Sequence, residues 1–332
     1  MSFFTVYADM LREFTSGEID YFKDERAKRV YKFFENYFLY ENKTLPFSDS
    51  SARISFSLGR MHYVKREYGD EITVPDKKYS TLTLTRFSES LREFIWFDEK
   101  IESDCRDVES ECFAPGAEWF VKRGKNYCFA AKGGHNQEPH NHNDVGSFVF
   151  LKGGEEIFID TGSGKYTRQY FSNERYTIFE PSSRSHNVPI IDGEYQKFGR
   201  EYAARDFKYE DGILSFDIAG AYGLTDGETI KRSFAFGDDF LQLTDSFELR
   251  EGRKFIDRLV TKIAPKLDTG GALTVGSAKI CYDRTAFKVS ISSELATVER
   301  KEDDGNIVRD LVYLIDFEPL SDDVSEFEVK II

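Results

Sequence analysis

The chain has 332 residues, 40% hydrophobic and 15% aromatic, which suffices for one large domain or two modest ones. Its net charge of −14 disfavours nucleic acid and anionic membranes as partners, and no apolar run reaches the length of a membrane span. The N-terminus has no basic segment followed by a long apolar stretch, so no signal peptide is expected.

In chain order, the first 65 or so residues read as helix. Phe4, Tyr7, Ala8, Leu11 and Phe14 recur at three- and four-residue steps, with Gly17 as a stop. A second helix is expected from about Asp24, with Val30, Phe33, Phe34, Tyr37 and Phe38 as its apolar stripe. After Pro46, Asp49 or Ser50 is a candidate cap for a third helix holding Ile54, Leu58 and Met61. Three such stripes cannot bury themselves alone, so apolar surface is expected to stay exposed on this part. From about Glu71 short alternating runs take over. Ser147 to Leu151 and Glu156 to Asp160 flank Lys152-Gly153-Gly154 and predict a hairpin; Ile230 to Phe236 and Phe240 to Leu249 predict another. Further strands are expected at Leu82–Phe87, Tyr127–Ala131, Leu214–Ala219, Phe255–Ile263, Leu273–Tyr282, Phe287–Ser292, Ala296–Arg300 and Ile307–Phe317. Many strands with short turns and no alternating helices imply an antiparallel β-sandwich rather than a βαβ fold. The expected division is a helical segment over 1–70 and a β-sandwich over 71–332.

Chemistry concentrates in one stretch. Of five histidines, His135, His140, His142 and His186 lie within 52 residues. The segment from Gly133 reads G-G-H-N-Q-E-P-H-N-H-N-D-V-G-S-F. On extended backbone a His-x-His pair points both imidazoles to one side, which suits a divalent metal, or one ligand beside one base. Asp160, at the end of the hairpin's second strand, can return to the pair, and two or three histidines with a carboxylate make a plausible zinc set. His142-x-Asp144 with distal His186 also imitates a two-His-one-carboxylate iron triad, which would use Asp144 instead of Asp160. From Val121 to Arg200 there are 11 Lys/Arg against 9 Asp/Glu, so the rest of the chain carries −16. This locally basic stretch is a candidate docking place for a polyanion. Four cysteines without C-x-x-C spacing argue against a cysteine-built metal site or a disulfide framework.

The same segment resembles the heparinase II/III-like family of polysaccharide lyases. Besides the run from Gly133, the matching stretches are I-D-T-G-S-G-K-Y-T from Ile159, F-S-N-E-R-Y from Phe171, and S-H-N-V-P-I-I-D-G-E-Y-Q from Ser185. Phe47-Ser48-Asp49-Ser50-Ser51 and the helices before it resemble the end of the family's helical toroid. The resemblance implies a mainly β protein: a large layered antiparallel β-sandwich preceded by a short α-helical remnant of an (α/α) toroid. It implies cleavage of a uronate-containing polysaccharide or oligosaccharide by β-elimination. It makes His140 a catalytic histidine, and makes His142, Asp160 and His186 the ligands of a divalent metal, expected to be zinc and structural. Tyr166, Tyr170 and Tyr176 lie where the family places substrate-contacting tyrosines; Tyr166 and Tyr176 are the catalytic candidates and Tyr170 a substrate-binding one. Arg175 and Arg184 are candidates to bind the uronate carboxylate in bidentate fashion. The family's toroid also contributes active-site residues, and only about three helices precede the sandwich here, so much of that set is expected to be missing. His62 sits in no matching motif and is expected on a helix surface. The alternative reading is a non-catalytic carbohydrate-binding or scaffold sandwich with a structural metal. Homo-oligomer formation is left open.

Overall fold

The computed structural model describes residues 2–53, 56–80, 87–104, 110–224, 227–301 and 306–332. It divides into two compact units, Met1–Leu45 with Arg53–Ser110, and Pro46–Ala52 with Glu111–Ile332. The short segment around Asp49 therefore belongs with the β-rich unit, a division that no single cut at residue 70 produces.

The helical unit holds α1 (Ser2–Phe14), α2 (Glu25–Asn36), α3 (Leu58–Tyr68) and α4 (Phe87–Trp96). Asp24 caps α2, its carboxylate accepting from the Arg26 N–H at 2.8 Å. α3 starts later than expected: its cap is Ser57, not Asp49 or Ser50. Ile54 and residues 81–86 fall outside the described residues, and Phe87, expected to end a strand, opens α4. The core of this unit is Ala8, Phe22, Tyr31, Phe56, Met61, Tyr63, Val64, Ile72, Val74 and Trp96. The buried face of α2 carries Ala27 and Tyr31, whereas Val30 is exposed, so the helix is rotated from the expected stripe. His62 is a further correction. It is buried, and its Nδ1 accepts from the Asp98 N–H at 3.0 Å. Of the expected first stripe Tyr7 and Phe14 remain exposed while Ala8 is buried; Phe3 and Met10 on α1 and Phe87, Leu91, Phe94 and Ile95 on α4, a helix the sequence reading did not foresee, are exposed as well.

The second unit is mainly antiparallel β. A five-stranded sheet runs in sequence order through Glu111–Ala114, Trp119–Arg123, Tyr127–Lys132, Phe148–Lys152 and Glu155–Phe158. An eight-stranded sheet is built on the long hairpin of Thr229–Phe236 and Leu241–Glu248. Leu241–Glu248 alternates buried and partly exposed residues, the signature of a strand with one face on a core. A four-stranded sheet joins Phe287–Lys301, Ile307–Pro319, Phe255–Thr261 and Ile190–Ile191.

Aromatic side chains knit these layers. Phe234 of the eight-stranded sheet sits 4.7 Å from Phe129 and 5.2 Å from Phe148 of the five-stranded one, centroid to centroid. Phe317 of the four-stranded sheet lies 5.0 Å from Phe327 on the opposite side of the same core. Truncating one such buried ring to alanine costs about 3–5 kcal/mol. The strand Tyr127–Lys132 is buried along its whole length, which fixes the height from which the following histidine-rich loop departs.

Candidate metal centre and groove

The loop after Lys132 is pinned at several points before it reaches the histidines. Gly146 has φ +86°, and a Cβ there would lie 2.8 Å from Ile218, so only glycine fits the turn that returns the chain to the sheet. Gln196 clamps the loop: its Oε1 accepts from Val145 N–H and Asn136 Nδ2, and its Nε2 donates to Val145 O. Asn143 donates from its backbone to Pro181 O and from its side chain to Gln196 O.

His186 is placed by its neighbour. Asn187 donates to Phe148 O at 2.7 Å and Ile159 O at 2.9 Å, while its Oδ1 accepts from Val260 N–H. One amide thus ties the His186 loop, the strand after His142 and the residue before Asp160 together. Arg232 reinforces the junction from below, donating to Gly146 O and Asn187 O.

These constraints bring His142, Asp160 and His186 into one buried group, with one ligand atom from each lying within 4.8 Å of the others. Asp160 comes two residues after the strand Glu155–Phe158, close to the position the hairpin pattern implied. His142 Nδ1, Asp160 Oδ2 and both nitrogens of His186 are buried without a hydrogen-bond partner. His186 Nδ1 approaches Asp160 Oδ2 to 3.2 Å, yet out of hydrogen-bond alignment. Buried polar atoms are rarely left unmatched, and one from each of the three residues lies close enough to the others to share a cation. Burial pushes the Asp160 carboxyl up and the charge of His186 outweighs it, leaving the carboxyl below its ordinary value. Burial pulls His186 down and Asp160 outweighs it, leaving the imidazole above its ordinary value. Asp144, the alternative carboxylate, is held by the buried Lys132 at 2.7 Å, which disfavours the iron-triad arrangement.

His140 departs from the geometry expected of a strand. It occupies a turn with φ +62°, so the two histidines part: the His140 side chain is 76% exposed, His142 fully buried. Ser48 is also left-handed, at φ +61°. Each such residue costs about 1–3 kcal/mol and persists only where its surroundings hold it. The surroundings here include the Asp49 N–H donating to His140 O.

Asp49 is the residue the sequence reading missed. Its carboxylate lies 3.1 Å from His140 Nδ1, 3.2 Å from His142 Nε2 and 2.7 Å from Arg175 Nη2, and accepts the Tyr170 hydroxyl. Burial pushes its carboxyl up, but the bonds from His142 and Tyr170 and the Arg175 charge hold it well below the usual carboxylate range. Beside it opens a groove of about 590 Å³ lined by Phe47, Ser48, Asp49, Trp119, Glu138, Pro139, His140 and Tyr166 among others.

The remaining candidates fall in different places. Tyr166 is half exposed on the groove. Tyr176 stacks on Phe198 and receives Asn141 Nδ2 at 3.4 Å. Tyr170, expected to contact substrate, is buried with its hydroxyl committed to Asp49, which suits holding the site together. Arg175 is likewise turned inward, to Asp49, Tyr170 and His140 O. Arg184 lies apart from the groove, paired with Glu294 at 3.0 Å and lining a separate pocket of about 320 Å³. Neither arginine presents the free bidentate fork that was expected.

The profile of the family described as Heparinase II/III-like, C-terminal, matches residues 113–315, more than half of the chain. The chain belongs to this family of polysaccharide-lyase domains. Among solved structures it is similar to the heparan sulfate lyase HepC from Pedobacter heparinus, with TM-score 0.60 and 13% identity, covering 89% of this chain and 45% of that one. A structure of Heparinase III gives TM-score 0.58 and 16% identity, covering 93% and 48%. At such identities the likeness is one of fold, and the chain spans about half the length of these structures. No curated protein sequence matches the chain.

Proposed function

We propose that this chain serves β-eliminative cleavage of a uronate-containing polysaccharide, with His140 as a proton-transfer group and His142, Asp160 and His186 holding a divalent metal. The observation that carries the reading is the separation of two neighbouring histidines. One is buried among unmatched ligand atoms, while the other faces a groove. The donor set of two imidazoles and one carboxylate suits zinc, which would brace the loop bearing His140 and supply positive charge near it. In the reaction a base removes the proton on the carbon beside the uronate carboxylate. That electron pair forms a carbon–carbon double bond, the bond to the glycosidic oxygen breaks, and an acid protonates the departing oxygen. His140 has Nδ1 engaged by Asp49, which leaves Nε2 to take the proton. Tyr166 lines the same groove, and burial and then the Asp49 charge raise its phenol pKa, so it carries a proton to give.

The second reading, a carbohydrate-binding sandwich without turnover, is favoured by one observation. The groove offers the aromatic surfaces of Phe47, Trp119 and Tyr166, and among its described lining residues there is no Lys or Arg to neutralise a uronate. Incubation with acidic polysaccharides, watching for the absorbance of unsaturated product, separates the two. Catalysis predicts product formation that His140→Ala abolishes with metal content and melting temperature nearly unchanged. His142→Ala should lose metal and stability together. Equal loss of metal in both variants would make His140 a ligand and end its assignment as base.

A further inference from the structure

We propose that Asp49 is the positioning residue of this site: one of its carboxylate oxygens fixes His142 as the tautomer offering Nδ1 to the metal, and the other fixes His140 with Nε2 turned to the groove. The inference rests on the metal reading above and goes beyond it by coupling the buried centre to the exposed histidine through one side chain.

The argument is one of donors and acceptors. Four groups converge on this carboxylate: two imidazoles, a phenol and a guanidinium. An ionised carboxylate only accepts, so each ring nitrogen facing it must carry a hydrogen. The Tyr170 proton is directed at Asp49, so the phenol oxygen can only accept from His142 Nε2, 3.3 Å away. His142 Nε2 thus faces two acceptors and is the protonated nitrogen. Its Nδ1, buried and without a partner, is left with a lone pair toward Asp160 and His186. This is the arrangement by which a carboxylate behind a ligating imidazole sets its orientation and basicity. On the other side, Nδ1 of His140 takes its hydrogen to Asp49 and Nε2 keeps its lone pair. Arg175, largely buried against the Tyr170 ring at 4.1 Å, balances the Asp49 charge without taking part in either assignment. Asp49 is able to do this because Pro46–Ala52 travels with the β unit, and because its own N–H is strapped to His140 O.

The test uses the purified chain and Zn²⁺ as the probe, in wild type, Asp49→Ala, Asp49→Asn and His186→Ala. Zinc affinity from chelator competition should fall about 10- to 100-fold in Asp49→Ala and less in Asp49→Asn, whose amide oxygen still accepts the His142 N–H. Long-range ¹⁵N–¹H spectra of the metal-free protein should place the His142 proton on Nε2 and the His140 proton on Nδ1 in wild type. Both should become mixed tautomers in Asp49→Ala, a change that a merely structural role would not produce. A wild-type His142 protonated on Nδ1 overturns the proposal, whatever the metal does. Zinc binding by wild type, lost in His186→Ala but intact in Asp49→Ala, also overturns it while leaving the metal reading standing. No zinc bound by wild type removes the metal reading instead, and the tautomer spectra still decide the role of Asp49.

Discussion

Two of the buried polar clusters in the β unit are built on opposite plans. Arg232, Asp245 and Asp257 are fully buried, and every polar atom of the three has a partner. Arg232 donates from Nε and Nη2 to Asp245, from Nη2 to Asp257 at 3.4 Å, and from Nη1 to Gly146 O and Asn187 O. The group of His142, Asp160 and His186 is as deeply buried but leaves four nitrogen and oxygen atoms unmatched. The first cluster is closed and needs nothing more. The second is open, with unmatched atoms on all three side chains. Satisfaction of hydrogen-bonding capacity, rather than the mere gathering of charged residues, is what separates the two.

The comparison can be broken most severely at Arg232. Arg232→Met should destabilise the β unit by about 3–5 kcal/mol, because it strands the carboxyl groups of Asp245 and Asp257 and two carbonyls in the core. Denaturant unfolding measures this, and a loss under 1 kcal/mol would show that the cluster is not a closed network. The open cluster should respond to metal instead. Chelator treatment should lower the melting temperature reversibly, by an amount corresponding to about 2.7 kcal/mol when free zinc had stood at a hundred times its dissociation constant. Arg232→Met should keep its zinc response if it folds, whereas His186→Ala should lose it. An unchanged melting curve on chelation would remove the contrast between the clusters.

How much of this was legible in the sequence follows from the distance over which each feature is encoded. The hairpins at Phe148–Phe158 and Thr229–Glu248 are local alternations around tight turns, and they appear within one or two residues of their expected bounds. The predicted strand Leu273–Tyr282 is divided at Gly276, which has φ +54°, and the two predicted strands from Phe287 to Arg300 are one continuous strand. The strand Glu111–Ala114 passed unnoticed because its partner, not its own pattern, makes it a strand, whereas Glu326–Ile331 alternates charged and apolar residues and was legible but overlooked. That His142, Asp160 and His186 come together was legible from the motifs, although the supposed extended His-x-His backbone is a turn with a left-handed residue. Asp49 was not legible as a site residue, since an Asp followed by serines reads locally as a helix cap. Its partners lie 91 to 126 positions away, and only the family-like F-S-D-S-S run hinted at more.

The closed cluster also carries a finer prediction. Asp257 is buried beside a second carboxylate. Burial first, and then the Asp245 charge, push its carboxyl well above the ordinary value, with Arg232 offsetting only part. In the unfolded chain the same group ionises near about 3.9. Between that value and its raised folded value, the native state keeps the proton while the unfolded state releases it. Stability from this group is therefore complete at low pH and declines as pH rises, by at most about 1.4 kcal/mol per pH unit. Asp257→Asn mimics the protonated form and cannot titrate. Its stability should match wild type near pH 4 and exceed it increasingly as pH rises through the window. Unfolding curves for both proteins at a series of pH values measure the gap. A gap that stays constant across the series would mean that Asp257 is ionised in the fold, and that Arg232 balances two full charges rather than one charge and a shared proton.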